Sequence, residues 1–199
     1  MKTIRKLGLG IMLLASSQMA MAVSVPNIDF ESGLTGWTVA PLATPNITTG
    51  SVLGANSGNS YGQISGSGVL SQLISVVTGQ TYEFMWRFIT SDYLPFNDQS
   101  VVFHVNNSDV LASVASVGNT IGNTFDTGWQ YFSWVSDVTT ISGSLSFSLF
   151  NAGDNNVDSK LLLDAVPLPV APLLFGSALL GFAALRKKLT GKPVGLATA

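Results

Sequence analysis

Residues 144–150 read Ser-Leu-Ser-Phe-Ser-Leu-Phe, with Leu145, Phe147 and Leu149 alternating with Ser144, Ser146 and Ser148. A period of two sends the apolar side chains to one face of a strand and the hydroxyls to the other, so the segment predicts a β-strand with one buried and one wet face. Working outward, Ser100–Asn106 predicts a second strand, with Val101, Phe103 and Val105 on one side and Val102, His104 and Asn106 on the other. Further β-rich runs lie at Val69–Val77, Thr81–Thr90, Trp129–Val138 and Lys160–Val166, bounded by Gly, Asn, Asp and Ser clusters. No window of a dozen residues between 23 and 165 carries a helical period. Short strands without helices between them predict an all-β fold, a β-sandwich or jelly roll.

Charge narrows the chemistry. Between Val23 and Ala165 only Arg87 and Lys160 are basic, against all eleven acids of the chain, a net of −9. A body this acidic argues against phosphate-backbone binding, so no nucleic acid is expected. The chain has no Cys and one His, which excludes a disulfide framework, thiolate catalysis and multi-His metal sites. No G-x-S-x-G occurs, no pair of carboxylates stands out, and His104 reads as an outward, exposed strand residue; the protein is expected not to be an enzyme.

The two ends read as targeting segments. Residues 1–22 have a basic start, an apolar run from Leu7 to Ala15 and the small-x-small site Ala20-Met21-Ala22, which predicts a signal peptide cut after Ala22 by signal peptidase. From Val170 to Leu185 sixteen residues carry no charge, and Arg186, Lys187 and Lys188 follow at once. That pattern predicts a single apolar helix in the membrane with the acidic body outside the cytoplasm and 189–199 as a cytoplasmic tail. The sandwich domain is thereby bounded to 23–165.

Just ahead of that helix, Val166-Pro167-Leu168-Pro169 is held extended by its two prolines. A proline motif, an apolar segment and a basic cluster, together spanning 166–188, resemble the tripartite sorting signal of PEP-CTERM proteins, in the VPLPA form with Val170 where Ala is usual. The resemblance implies recognition by an exosortase, transient anchoring in the inner membrane, and a destination at the cell surface or in an exopolysaccharide matrix.

The stretch Asn27-Ile28-Asp29-Phe30-Glu31-Ser32-Gly33-Leu34-Thr35-Gly36-Trp37 has two large apolar anchors, Phe30 and Trp37, and glycines at 33 and 36 that permit tight turns between them. It resembles the N-terminal strand of jelly-roll carbohydrate-binding modules, and Leu161–Val166 resembles their closing strand. The resemblance implies that the first and last strands pair and that Glu31 and Asp164 share a structural Ca2+, with ordinary solvated acids as the alternative. The run Asp154-Asn155-Asn156-Val157-Asp158 has the opening spacing of a calcium loop but lacks its Gly and closing Glu, and reads as a polar hairpin turn.

One loop combines aromatics with polar groups: Asp92, Tyr93, Phe96, Asn97 and Asp98 around Pro95. Tyr93 and Phe96 could stack on sugar C–H faces while Asp92, Asn97 and Asp98 bond hydroxyls; the alternative is a plug that folds Phe96 onto the core. Trp86, Trp129 and Trp134 read as core residues of strands. The expectation is an exported surface or matrix protein that binds polysaccharide; its alternatives are a structural envelope protein without a glycan ligand and, last, a glycan hydrolase.

Overall fold

A computed structural model describes residues 23–40, 46–50, 54–153 and 156–167. The signal segment 1–22, the greater part of the sorting signal from Leu168 onward, and the tail 189–199 lie outside them. Among the described residues twelve strands form: β1 (Val23–Ser24), β2 (Thr38–Ala40), β3 (Asn46–Gly50), β4 (Tyr61–Ser65), β5 (Gly68–Val76), β6 (Thr81–Thr90), β7 (Gln99–His104), β8 (Asn107–Ser113), β9 (Phe125–Asp126), β10 (Gln130–Val135), β11 (Thr140–Phe150) and β12 (Lys160–Asp164), with one helical turn, α1 (Val114–Val117). They make a sandwich of two mainly antiparallel sheets. One runs β1-β6-β12-β4-β3, with β9 and β10 also on β6; the other runs β2-β5-β11-β7-β8.

The alternation of 144–150 decides the core as expected: Leu145, Phe147 and Leu149 have no exposed surface. They face Phe84, Phe88, Ile64, Leu161 and Leu163 of the opposite sheet in one apolar cluster, where the Phe84 and Phe147 rings meet edge to face at 4.8 Å. Burying each such side chain contributes about 2 kcal/mol against the entropy of ordering the chain.

Two expectations are corrected. His104 is not an outward, exposed residue. The register of β7 sends Ser100, Val102 and His104 inward, and His104, 6% exposed, lies against Trp134 with ring centroids 5.0 Å apart. Its Nε2 reaches Asp109 Oδ2 at 2.8 Å, so this buried imidazole has a partner at the rim of the core. Nor do the first and last strands pair: both lie along one edge of β6, β1 parallel at Tyr82 and Glu83 and β12 antiparallel further on at Met85–Ile89, while β10 takes the other edge.

The Asn27–Trp37 segment is a series of turns, not a strand. Asn27 organises it from a left-handed backbone conformation (φ 48°). Its Nδ2 donates to the carbonyls of Gly33 and Thr35, its Oδ1 accepts from Ser32 N–H, and its carbonyl accepts from Trp37 Nε1 at 3.0 Å. Asn tolerates that conformation and makes such local bonds where a strand would offer none. Phe30 and Trp37 then stack at 5.4 Å on one side of the core, as the two glycines predict.

Candidate functional site

The 92–98 loop places its two carboxylates, Asp92 and Asp98, inside the protein and leaves Asn97 half-buried. Asp98 has no exposed surface; its Oδ1 accepts from Ala152 N–H at 2.8 Å and its Oδ2 from Ser159 N–H at 3.3 Å, which ties the β11–β12 connection down. Asp92 is buried too, and Asn97 Oδ1 accepts from Ala115 N–H in α1 at 2.8 Å. Tyr93 and Phe96 meet edge to face at 5.6 Å, and Phe96 packs near Gly153. Beside the loop lies a 410 Å³ cleft lined by Tyr93, Leu94, Val114, Thr120 and Ile121, an apolar hollow that the three polar side chains do not line.

Glu31 and Asp164 grip one loop from its two halves. Asp164, fully buried, takes Asn56 N–H and Ser57 N–H on Oδ2 and Ala165 N–H on Oδ1; Glu31 Oε1 takes Asn59 N–H and Ser60 N–H. Asn56 Nδ2 also donates to the carbonyl of Ala165, so the 56–60 loop is fastened to both ends of the domain. Burial pushes the Asp164 carboxyl up to about 6; the three N–H donors oppose this and the nearby Asp29 charge adds to it. Among the described residues no three His, Cys, Asp or Glu side chains converge as a metal cage. A divalent cation there would share two carboxylates and complete its shell from loop carbonyls, an oxygen-only set suited to a hard ion such as Ca2+.

A site that the sequence reading missed lies on the outer face of the β6–β12–β4 sheet. Register sets its rows: Arg87 of β6, Leu162 of β12 and Gln63 of β4 stand side by side, and Met85 neighbours Tyr131 of β10. Leu162 points outward yet has no exposed surface. Across the β6–β12 pair, Trp129 ahead of β10 and the buried Tyr61 of β4 meet edge to face at 6.3 Å; Trp129 Nε1 donates to the Gly54 carbonyl at 3.2 Å. Trp129 precedes β10 and stays half-buried, outside the core where the sequence reading put it; Trp134 is in the core and Trp86 packs against it.

Around these rings the polar groups are fixed in place. Arg87 Nε and Nη2 form a two-pronged ion pair with the Asp126 carboxylate, which also accepts from Gly128 N–H. The paired charges hold Arg87 above and Asp126 below their ordinary pKa values. Tyr131, 53% exposed, donates its hydroxyl to Glu83 Oε2 at 2.6 Å. Aromatic faces flanked by amide, guanidinium and carboxylate groups suit a ligand with apolar C–H patches and many hydroxyls. The signal for Trp129 was present in Asp126-Thr127-Gly128-Trp129, where a tight turn ahead of a strand puts a tryptophan at its rim instead of its centre.

The sequence matches no known family profile and no curated relative. Among solved structures, a family 61 carbohydrate-binding module in complex with β-1,4-galactotriose is 16% identical, with a TM-score of 0.42 over 70% of this chain and 93% of that one. A module of family 28 specific for non-crystalline cellulose is 10% identical, with a TM-score of 0.44 over 73% of this chain and 94% of that one. The enzymatically active domain of a tailspike protein of bacteriophage CBA120 is 12% identical, with a TM-score of 0.35 over 71% of this chain but 21% of that one. The body itself is an all-β sandwich of two sheets.

Proposed function

We propose that this protein is an exported, non-catalytic polysaccharide-binding domain, delivered to the cell surface or extracellular matrix by its C-terminal signal. The observation that carries the binding reading is the outer face bearing Trp129 and Tyr131, with the buried Tyr61 ring supporting Trp129, beside Gln63, Glu83 and the Arg87–Asp126 pair. Rings there are immobilised by hydrogen bonds and strand register, so little conformational entropy is lost when a chain of sugars is stacked on them. Retention on a panel of immobilised polysaccharides tests it. The intact protein is expected to be retained by at least one polymer, and Trp129→Ala to weaken that retention by roughly 30-fold, the size of a large aromatic anchor's contribution. Tyr93→Ala serves as a control at the original loop and is expected to bind like the parent; retention by no glycan sinks the binding reading.

The sorting motif Val166-Pro167-Leu168-Pro169 and the cluster Arg186-Lys187-Lys188 support processing by an exosortase after signal peptidase has cut at Ala22. The chain leaves the sandwich after Asp164 and Pro167 is exposed, which suits presentation of a peptide to a membrane enzyme. Intact mass from membrane and extracellular fractions of the host is expected to give a species from Val23 to near Val166 or Pro169. A species running to Ala199 in the membrane alone would make the tail a permanent anchor. Structural Ca2+ between Glu31 and Asp164 belongs to the same proposal and is tested through stability below.

A second reading, a structural matrix protein without a glycan ligand, is favoured by Leu73 and Ile141, 71% and 87% exposed beside a 340 Å³ cleft that also takes in Val25 and Pro26. Self-association in sedimentation velocity that Leu73→Ser plus Ile141→Ser abolishes would support it.

A further inference from the structure

Resting on that reading of the outer face, we infer that Asp126 is its specificity determinant: by occupying the Arg87 guanidinium it makes the face take uncharged polysaccharides and refuse those bearing uronate or sulfate. Arg87 is one of two basic residues between Val23 and Ala165, and the one set between the aromatic rings and the β9 edge. A guanidinium at that place is the natural partner of a sugar carboxylate, because its parallel N–H groups match the two oxygens. Here Asp126 already fills that role, with Nε to Oδ1 at 2.8 Å and Nη2 to Oδ2 completing the fork. Gly128 N–H holds the same carboxylate at 2.8 Å, so the pair is braced in the turn that carries Trp129. A uronate would have to displace a fixed intramolecular partner to gain an equivalent bond, and nothing is gained by the exchange.

Of the remaining charges on the face, Glu83 reinforces this and Lys160 opposes it. Glu83 sits two residues before Met85 on the same side of β6 and is engaged by Tyr131. Lys160, the other cation, stands on the same face at the start of β12, opposite Ile89 and one row from the Arg87–Leu162 pair, and is the one charge there that would attract a uronate. Beyond the face, a body carrying −9 repels a polyanion over about a Debye length, ~8 Å at physiological salt. Neutral polymers meet none of these penalties, and the paired charges remain available to them as fixed donors and acceptors.

Affinity electrophoresis of the whole protein in gels carrying a neutral glucan or polygalacturonate, at low and at physiological salt, tests this together with Asp126→Asn. The parent is expected to be slowed by the neutral polymer at both salts and not by polygalacturonate. Asp126→Asn, which removes the competing charge while keeping shape and one acceptor, is expected to gain at least tenfold in affinity for polygalacturonate, and to lose that gain as salt rises. A parent protein that prefers polygalacturonate overturns the inference while leaving the binding reading intact. A folded Asp126→Asn that gains nothing also overturns it. A parent slowed by no polymer removes both together. Should the variant not fold, the parent's preference between the two polymers alone decides.

Discussion

Gly62→Ala is expected to lower the melting temperature by about 3–12 °C, and Gly62→Val by more. Gly62 lies in β4 and points into the sandwich, where the Phe30 ring is seated on its bare backbone. A Cβ at Gly62 would stand 2.4 Å from Phe30 Cζ and 2.6 and 2.7 Å from the two neighbouring ring carbons. Phe30 cannot swing aside, since its ring is 1% exposed and stacked on Trp37. Overpacking of this kind costs roughly 1–3 kcal/mol, and a chain of this size loses roughly 3–4 °C per kcal/mol. The double variant Phe30→Leu plus Gly62→Ala should recover part of the loss, because the smaller side chain vacates the space that the methyl needs. Thermal unfolding by circular dichroism of the single and double variants measures the coupling. A Gly62→Ala protein that melts with the parent would show that Phe30 is not seated there, and the turn-built N-terminal segment would lose its anchor.

The same pair illustrates what the sequence could and could not say. Phe30 and Trp37 were legible as anchors because two glycines separate them at turn spacing. Asn27 was not, since its work is done through hydrogen bonds to Gly33, Thr35 and Ser32 that no periodicity announces. The strand 144–150 was legible because its polar residues are all on one side. The strand around His104 has apolar residues on both sides, so the polar ring was placed outside, whereas β11 and the Trp134 ring fix the opposite register. The 92–98 loop has the residue types of a sugar site, yet Asp98 and Asn97 spend their oxygens on main-chain N–H groups of 152, 159 and 115. Composition cannot distinguish a carboxylate that faces solvent from one that fastens a loop. Trp129, Tyr61 and Arg87 come from three separate segments, and only sheet order brings them to one face.

Asp164 makes stability fall as pH rises from about 4 to about 7 in the presence of chelator, and Asp164→Asn is expected to abolish that slope. In the unfolded chain its carboxyl titrates near the ordinary value of about 3.9; in the folded protein burial raises it to about 6. Below the lower value both states hold the proton and the contribution is fully present. As pH rises the unfolded chain releases its proton first, so the folded state loses stability until its own carboxyl has ionised, about 3 kcal/mol in all. Above that range the buried carboxylate is held only by Asn56, Ser57 and Ala165 N–H groups. Asp164→Asn keeps an oxygen for Asn56 and Ser57 but offers no acceptor to Ala165. It is therefore expected to melt below the parent at pH 4 and to close the gap by pH 7. A cation binds the ionised form, so excess Ca2+ should raise the parent's melting temperature at pH 7 and leave Asp164→Asn where it was. Parallel melting curves for parent and variant from pH 4 to 7 would show that Asp164 does not carry the titration. A parent that follows the expected slope but ignores Ca2+ would assign the clamp on the 56–60 loop to main-chain N–H groups alone.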